Sequence, residues 1–416
     1  MKKTYLLLFI IFGLISCDYE NKNTSNIDKH QIVKLAIIEP LSGPNALAGQ
    51  MLSEHLKFVV SLINESNKNI TYEVFEFDNK GSPQDALVAL NNVIDMGIKF
   101  VIQGSGSHIG IALSDAIEKY NQRNPGSELI YLNSGAISDS LTNENCHFWH
   151  FRFDSSVSIK VNSLTSALSN DSKLNKLYLI NPDYSYGHDV SKIAKKNVQL
   201  FNHQMTIVGE EFIPLFKVKD FSPYVSKIIE SKANIILSGN FGPDLTLFVK
   251  ALGEAGYKGK IYTLYSHLTG TPKAIGKYGE NMLVGTSPFQ PNLKNYPLNE
   301  FYLNYKKKYQ NDWVFQPIKY LIEMLNISII NSDFLNSEEI ALNLENVSYD
   351  GGLGNVKMRK DDHQLLIPIF ISEFVKIDNE VIYDADNTGF GWKEIYSLSS
   401  DKLNPKHTCE MERPYN

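Results

Sequence analysis

Apolar residues recur along this chain in two alternating rhythms. Short runs rich in branched side chains fall at residues 32–38, 99–103 and 129–133, and residues 71–77 alternate through Tyr72, Val74, Phe75 and Phe77. Runs of that length and type are those of buried strands. Between them the apolar positions follow helical spacing over residues 47–63, from Ser82-Pro83 to Met96, and from Ile109 to Tyr120. Pro83 suits the first turn of its helix. Strand and helix in repeated succession predict a parallel sheet with helices on both faces.

A break comes near residues 146–154, where Phe148-Trp-His-Phe-Arg-Phe153 is strand-like and leads into a new helix. A second series follows, with strands expected at 176–180, 206–212, 234–237 and 260–264 and helices at 187–201, 221–230 and 245–255. Two longer helices are expected at 296–309 and 317–330, then strands at 356–358, 365–373 and 381–383. The expected fold is α/β, two doubly wound lobes with a ligand cleft between them. The first lobe takes residues 31–152 with about 287–350, the second 153–286 with about 351–400, and a tail follows at 401–416. Ligands of open α/β sheets lie beyond the carboxyl ends of the strands. The loops after Ile38, Gln103, Asn133, Ile180, Leu237 and Leu264 are therefore expected to ring one cleft.

Composition adds little to this picture until the ends of the chain. A length of 416 residues exceeds one typical core, and 43% hydrophobic with 21% charged residues is ordinary for a folded protein. The net charge of −6 is spread along the chain, so nothing points to nucleic acid. Lys306-Lys-Lys308 reads as a solvated helix face. At the amino terminus a basic Met1-Lys-Lys precedes an apolar run at 5–14, too short to span a bilayer, which marks residues 1–16 as a signal segment. Leu14-Ile-Ser-Cys17 resembles a bacterial lipobox, so Cys17 is expected to carry lipid and residues 17–30 to form a polar tether. That places the protein on the periplasmic side of the cell membrane or at the cell surface; a plain secretory signal with an incidental cysteine is the alternative. Cys146 and Cys409 remain as a candidate disulfide in an oxidising compartment, with two unrelated thiols as the alternative.

Candidate chemistry centres on the turn Gly104-Ser-Gly-Ser107, between the third strand and a helix. A helix start rich in small residues offers backbone N–H groups and hydroxyls to an anion such as a carboxylate. Gly104 and Gly106 imitate a dinucleotide fingerprint, but the third glycine is replaced by Ile109 and the turn does not follow the first strand. Ser107 can equally serve only as a helix cap. His147 and His150 at i, i+3 on a strand would point to opposite faces, which argues against a metal. Arg152 reads as a structural ion pair with Asp154 or the tail, with bidentate pairing to a ligand carboxylate as the alternative, and Asp78 reads as a turn residue. The chain holds no nucleophile elbow, no H-E-x-x-H pair and no phosphate loop. No enzyme activity, metal or cofactor is expected.

Several segments together resemble the periplasmic solute-binding proteins of the branched-chain amino acid (Leu/Ile/Val-binding) family. These are Lys34-Leu-Ala-Ile-Ile-Glu-Pro-Leu-Ser-Gly-Pro44 with Gly49, Ser82-Pro83 with Ala86, and the run at 97–102. Asn133-Ser-Gly-Ala136, Tyr184-Ser-Tyr-Gly187 and Gly352-Leu-Gly-Asn-Val356 also fit. The segments around Cys146 and Cys409 resemble a subgroup of which some members are associated with aromatic carboxylates. The resemblance implies capture of an amino acid or related small carboxylate by hinge closure and delivery to an ABC permease and its ATPase. An aromatic or other organic-acid binder, or a sensing receptor without transport, is the alternative. It also implies a ligand carboxylate held at Ser107, Gly135 and Ala136, with Tyr186 closing from the second lobe, Phe241 covering the ligand and Asn45 at the wall. The family's hydroxyl residue after the fourth strand falls at Ile137, or at Ser138 if the loop shifts by one. Its acid for the ligand ammonium falls near Ser266, which has no carboxylate, so the ligand is either a carboxylate without an ammonium or one whose ammonium meets Asp244 or Asp183 instead.

Overall fold

The computed structural model describes residues 30–168, 174–201, 205–292, 299–332 and 335–414. The signal segment, the lipidation expected at Cys17 and nearly all of the tether lie outside the described residues. Among those described, no helix is long and apolar enough to cross a membrane.

The first series runs β1 (Gln31–Glu39), α1 (Ala46–Ser66), β2 (Ile70–Asp78), α2 (Pro83–Asp95), β3 (Phe100–Gln103), α3 (Ser107–Arg123), β4 (Ile130–Asn133) and β5 (His150–Arg152). Its strands form one parallel sheet in the order β2-β1-β3-β4-β5. Along β1, Leu35 and Ile37 pack on one face with α1, while Ala36 and Ile38 pack on the other with α2 and α3. Burial on both faces is why these strands read as unbroken apolar runs. Ser82 caps α2 by accepting from Asp85 N, and Pro83 sits at its first position, as the sequence predicts.

The second series runs α4 (Val157–Leu168), β6 (Lys176–Pro182), α5 (Ser185–Phe201), β7 (Thr206–Ile213), α6 (Ser222–Glu230), β8 (Ile235–Ser238), α7 (Gly242–Glu254), β9 (Lys260–Thr263), α8 (Thr271–Ile275) and β10 (Leu283–Ser287). The chain then returns to the first sheet. There α9 (Asn299–Tyr309), α10 (Pro317–Ile330) and the connection between them bury Tyr305, Trp313, Ile318 and Leu321 in the same cluster as α1. Helix α11 (Ser337–Asn346) and a small sheet of β11 (Ser348–Asp350), β12 (Asn355–Met358) and β13 (Leu365–Leu366) follow. Finally β14 (Ile369–Lys376) and β15 (Phe390–Leu398) close the second sheet, whose order is β15-β14-β10-β9-β8-β6-β7. This is the doubly wound two-lobe α/β architecture that the sequence predicts.

Three expectations need correction. The return to the second lobe comes after Ile367 rather than near 351, because Val356, Met358, Leu365 and Ile367 all pack in the first cluster. Residues 381–383 form no strand: Val381 N donates to Asp378 Oδ1 and Tyr383 N to Asn292 Oδ1, so side chains take the place of a neighbouring strand. His147 and His150 do not diverge, because β5 begins only at His150; their rings lie 6.0 Å apart. Both are buried, and burial drives both below the ordinary histidine value, His147 to about 3. Among the described residues no group of three or more His, Cys, Asp or Glu side chains is arranged to hold a metal.

The same device joins strand to helix in both lobes. A Cβ on Gly49 of α1 would lie 2.2 Å from Pro40 O, and one on Gly187 of α5 would lie 1.9 Å from Pro182 O. The obstacle is backbone in each case, so no rotamer change relieves it. Gly187→Ala is expected to cost about 1–3 kcal/mol or more, read as a lower urea midpoint. An unchanged midpoint would contradict this packing.

Candidate functional site

Both sheets reverse their strand order at one point, between β1 and β3 in the first and between β6 and β8 in the second. Ligand crevices of doubly wound sheets open at such points. The carboxyl ends of these strands line one cleft with an empty volume of about 510 Å³, mouth included. That lies within the usual range for small-molecule sites.

From the first lobe come Asn45, Met51, Leu52, residues 104–107, Gly135, Ile137 and Phe315. The turn after β3 is pressed onto the loop after β4: a Cβ on Gly104 would meet Ser134 Oγ at 2.3 Å and Gly135 N at 2.9 Å. Gly106, at φ 95°, then swings the chain into α3. Ser107 is buried and its Oγ accepts from Ser138 N at 3.1 Å, which leaves the hydroxyl proton for an acceptor in the cleft.

The backbone amides are less free than the sequence suggests. Gly104 N and Ser105 N donate to the carboxylate of Glu39, at 2.6 and 3.1 Å. Gly135 N and Ala136 N both donate to Asn133 Oδ1, at 3.1 and 2.7 Å. Gly135 still lines the wall, but Ala136 is fully buried and is not among the wall residues. The position that the family resemblance gives to a hydroxyl is Ile137, an apolar wall residue. Ser138 instead donates to Asp189 of α5 at 2.6 Å, tying the lobes together.

From the second lobe come Tyr184, Tyr186, Phe241, Tyr265 and Leu268. Tyr186 is 1% exposed, and its hydroxyl has no hydrogen-bond partner among the described residues. Its ring lies 6.3 Å from Phe241 and 6.4 Å from Tyr265, an aromatic wall. His108 of α3 meets Tyr184 across the mouth at 5.2 Å, and Leu47 lies against Gly270. The lobes are thus in contact around the cleft.

Ser266 does not reach the cleft. Its Oγ lies where a Cβ on Gly285 would be, 2.3 Å away, and its neighbour Tyr265 faces the wall instead. Neither substitute acid takes its place: Asp244 is turned onto Phe216 N at 2.8 Å and Asp183 pairs with His188 at 3.0 Å. The described wall residues include no charged side chain.

One charge pair lies directly behind the wall. Asp154 and Lys160 are both buried, 2.9 Å apart, and the Tyr265 hydroxyl donates to the same Asp154 oxygen at 2.9 Å. Ser155 N donates to the other oxygen at 2.8 Å. The Lys160 ammonium stands 4.4 Å from the Tyr265 ring centre; burial pulls it below the ordinary lysine value, against the pull of Asp154. Sequence reading missed this pair, although one signal was present: Lys160 sits among Val157, Ile159, Val161 and Leu164, where a charge breaks an apolar face. Arg152, expected to pair with Asp154 or the tail, is bound instead to Gln364 Oε1 at 2.7 Å, Ser138 O at 2.6 Å and the Thr142 hydroxyl. Asp78 is the turn residue expected, accepting from Leu41 N and Lys80 N.

Comparison with known proteins adds three findings. A family model described as periplasmic binding protein matches residues 32–379. The Leu/Ile/Val-binding protein homolog 4 of Brucella abortus (strain 2308) is 30% identical over 393 residues, covering 92% of this chain and 93% of that protein. The closed-conformation crystal structure of a leucine-, isoleucine-, valine-, threonine- and alanine-binding protein from Brucella ovis superposes with a TM-score of 0.84 at 30% identity, over 92% of this chain and 99% of that one. An R. palustris solute-binding protein of an ABC transporter, in complex with benzoate, shares the fold with a TM-score of 0.76 at 14% identity, over 92% of this chain and 99% of that one.

Proposed function

The chain belongs to the periplasmic binding protein family, and from that premise we propose that its cleft captures an amino acid or a related small carboxylate by closure of the two lobes. The family serves ABC transporters as solute-binding components and is not enzymatic. The observation that carries the ligand reading is the pairing of Ser107, with a hydroxyl proton to give, and Tyr186, with a fully buried and unpartnered hydroxyl, on facing walls of the cleft. A buried polar group without a partner costs free energy, and a ligand that supplies the partner recovers it. Binding then biases the hinge toward the closed state.

A second reading is favoured by the wall itself. An α-amino acid brings an ammonium that is costly to bury without an opposite charge, and the described wall offers Tyr184, Tyr186, Phe241, Tyr265 and Phe315 but no carboxylate. An aromatic or other organic acid without an ammonium fits that wall. For an amino acid, Asp154, which accepts from the Tyr265 hydroxyl behind the aromatic wall, is the acid proposed to answer its charge. Similar structures cover both classes: one is a leucine-, isoleucine-, valine-, threonine- and alanine-binding protein, and another, alike in fold, is in complex with benzoate. The delivery partners on this reading are an ABC permease and its ATPase, with Cys17 carrying a lipid anchor and residues 17–30 the tether.

Thermal shift against separate pools of amino acids and aromatic acids tests the reading. A rise in midpoint with members of one pool supports it and chooses the class, whereas silence across both pools overturns it. With whichever compound binds, Tyr186→Phe is expected to weaken binding by about 0.5–1.5 kcal/mol, roughly two- to tenfold in Kd, without loss of fold. An unchanged Kd would remove Tyr186 from the site.

A further inference from the structure

The turn after β3 already carries an anion of its own. Glu39, the last residue of β1, is fully buried, and its two oxygens take Gly104 N and Ser105 N, with the Ser105 hydroxyl beside them. Gly104 and Ser105 also line the cleft, so the Glu39 carboxylate stands one peptide layer behind the place where a ligand carboxylate would sit. The turn cannot relax away, because Gln103 Nε2 holds Ser105 O at 2.8 Å and Tyr131 donates to Gln103 Oε1 at 2.6 Å.

We propose that Glu39 couples ligand binding to proton uptake: a ligand carboxylate seated on residues 104–107 binds together with a proton that goes to Glu39. This rests on the carboxylate-binding reading above. Beyond those hydrogen bonds, the described titratable groups around Glu39 do not offset its charge. Tyr131 on β4 is neutral and burial raises it far above the ordinary tyrosine value. Asp78, opposite Glu39 in register on β2, is itself an anion, turned onto Leu41 N, Ser42 Oγ and Lys80 N. His108 at the start of α3 is held below its ordinary value by burial. Arg152, two strands away from β3, is directed at Ser138, Thr142 and Gln364.

Burial outweighs the three hydrogen bonds and pushes Glu39 up to about 7. A second negative charge close by in a low-dielectric wall pushes it further. The sign follows by linkage. Below about pH 7, Glu39 is already neutral, and binding is tightest with no proton taken up. Above that pH the free protein has lost the proton and the complex regains it, so affinity falls as pH rises.

Calorimetric titration with L-leucine and with benzoate, at about pH 6 and about pH 8.5, reads this directly, since neither probe changes charge appreciably in that window. The expected results are a Kd that rises by up to about tenfold per pH unit above 7, and, at the higher pH, a binding heat that varies with buffer ionisation enthalpy as one proton per ligand. Glu39→Gln, a mimic of the neutral form, is expected to abolish the pH dependence and keep the low-pH affinity. If the variant does not fold, the buffer dependence of the natural chain still decides. Binding of either probe with no buffer-dependent heat and a flat Kd overturns the role of Glu39 and leaves the ligand reading standing. Absence of binding by both probes at both pH values overturns this inference for these two ligands, while the carboxylate reading on which it rests falls only if both compound pools are also silent.

Discussion

Asp154→Ala is expected to destabilise the protein by about 3–5 kcal/mol, because it leaves the Lys160 ammonium buried without its counter-charge. Asp154 collects Lys160, the Tyr265 hydroxyl and Ser155 N, so one substitution strands three donors in a region where all three residues are buried or nearly so. Against a typical total of about 5–15 kcal/mol this is a large share. Removing both charges together, as Asp154→Leu with Lys160→Met, is expected to recover most of the loss, since a buried pair is often replaced by apolar residues at little cost. Urea denaturation of the two variants separates the cases. Equal losses in the single and double variants would mean that the pair contributes through packing alone.

Reduction of the bond between Cys146 and Cys409 carries the second large effect. Their Cα atoms are 5.7 Å apart and 263 positions apart in sequence, so the bridge ties the tail to the loop that precedes β5. A loop of that length favours a stabilisation at the upper end of the about 2–5 kcal/mol expected for native disulfides. Other tethers pull the figure down. Thr408 N donates to Asn143 Oδ1 at 2.8 Å, Arg359 donates to Pro405 O at 2.7 Å, and Arg413 binds Glu345, which also pairs with buried His363. These keep the tail docked after reduction, so about 2–3 kcal/mol is expected. The urea midpoint of oxidised and reduced protein reads it, and an identical midpoint would show that the tail's other contacts suffice.

How much of this was legible in the sequence depended on how local each cause is. Strands β1, β3, β4, β6 and β8 stood out because burial on both faces writes an apolar run into the chain. Helix α2 stood out because Ser82 and Pro83 mark its start. Strand β10 escaped notice because Gly285 interrupts a five-residue run, a glycine placed there by the approach of Ser266 Oγ. Strand β15 escaped because its alternation exposes Lys393, Ile395 and Ser397 and only half-buries Glu394 and Tyr396, so that no apolar face shows in the sequence.

The candidate site followed the same rule. The turn at 104–107 was visible as a short motif beside a strand end, and Tyr186 through the family resemblance, whereas Tyr184 was not singled out. Glu39 was not, since a glutamate before a proline looks like an exposed strand end, and the amides that fix it lie 65 and 66 positions away. Asp154 and Lys160 likewise depend on Tyr265, more than a hundred positions on. Phe315 reaches the wall only because α10 packs back onto the first sheet. Side chains that meet through topology alone leave no periodic trace.

The central claim is that a small carboxylate lies between the two lobes with its charged end at Ser107. A crystal structure of the protein with whichever pooled compound raises its melting midpoint tests that claim most directly. The account predicts a carboxylate oxygen about 3 Å from Ser107 Oγ and a polar ligand atom within reach of the Tyr186 hydroxyl. A ligand seated outside the cleft, or one whose carboxylate points away from residues 104–107, would contradict it.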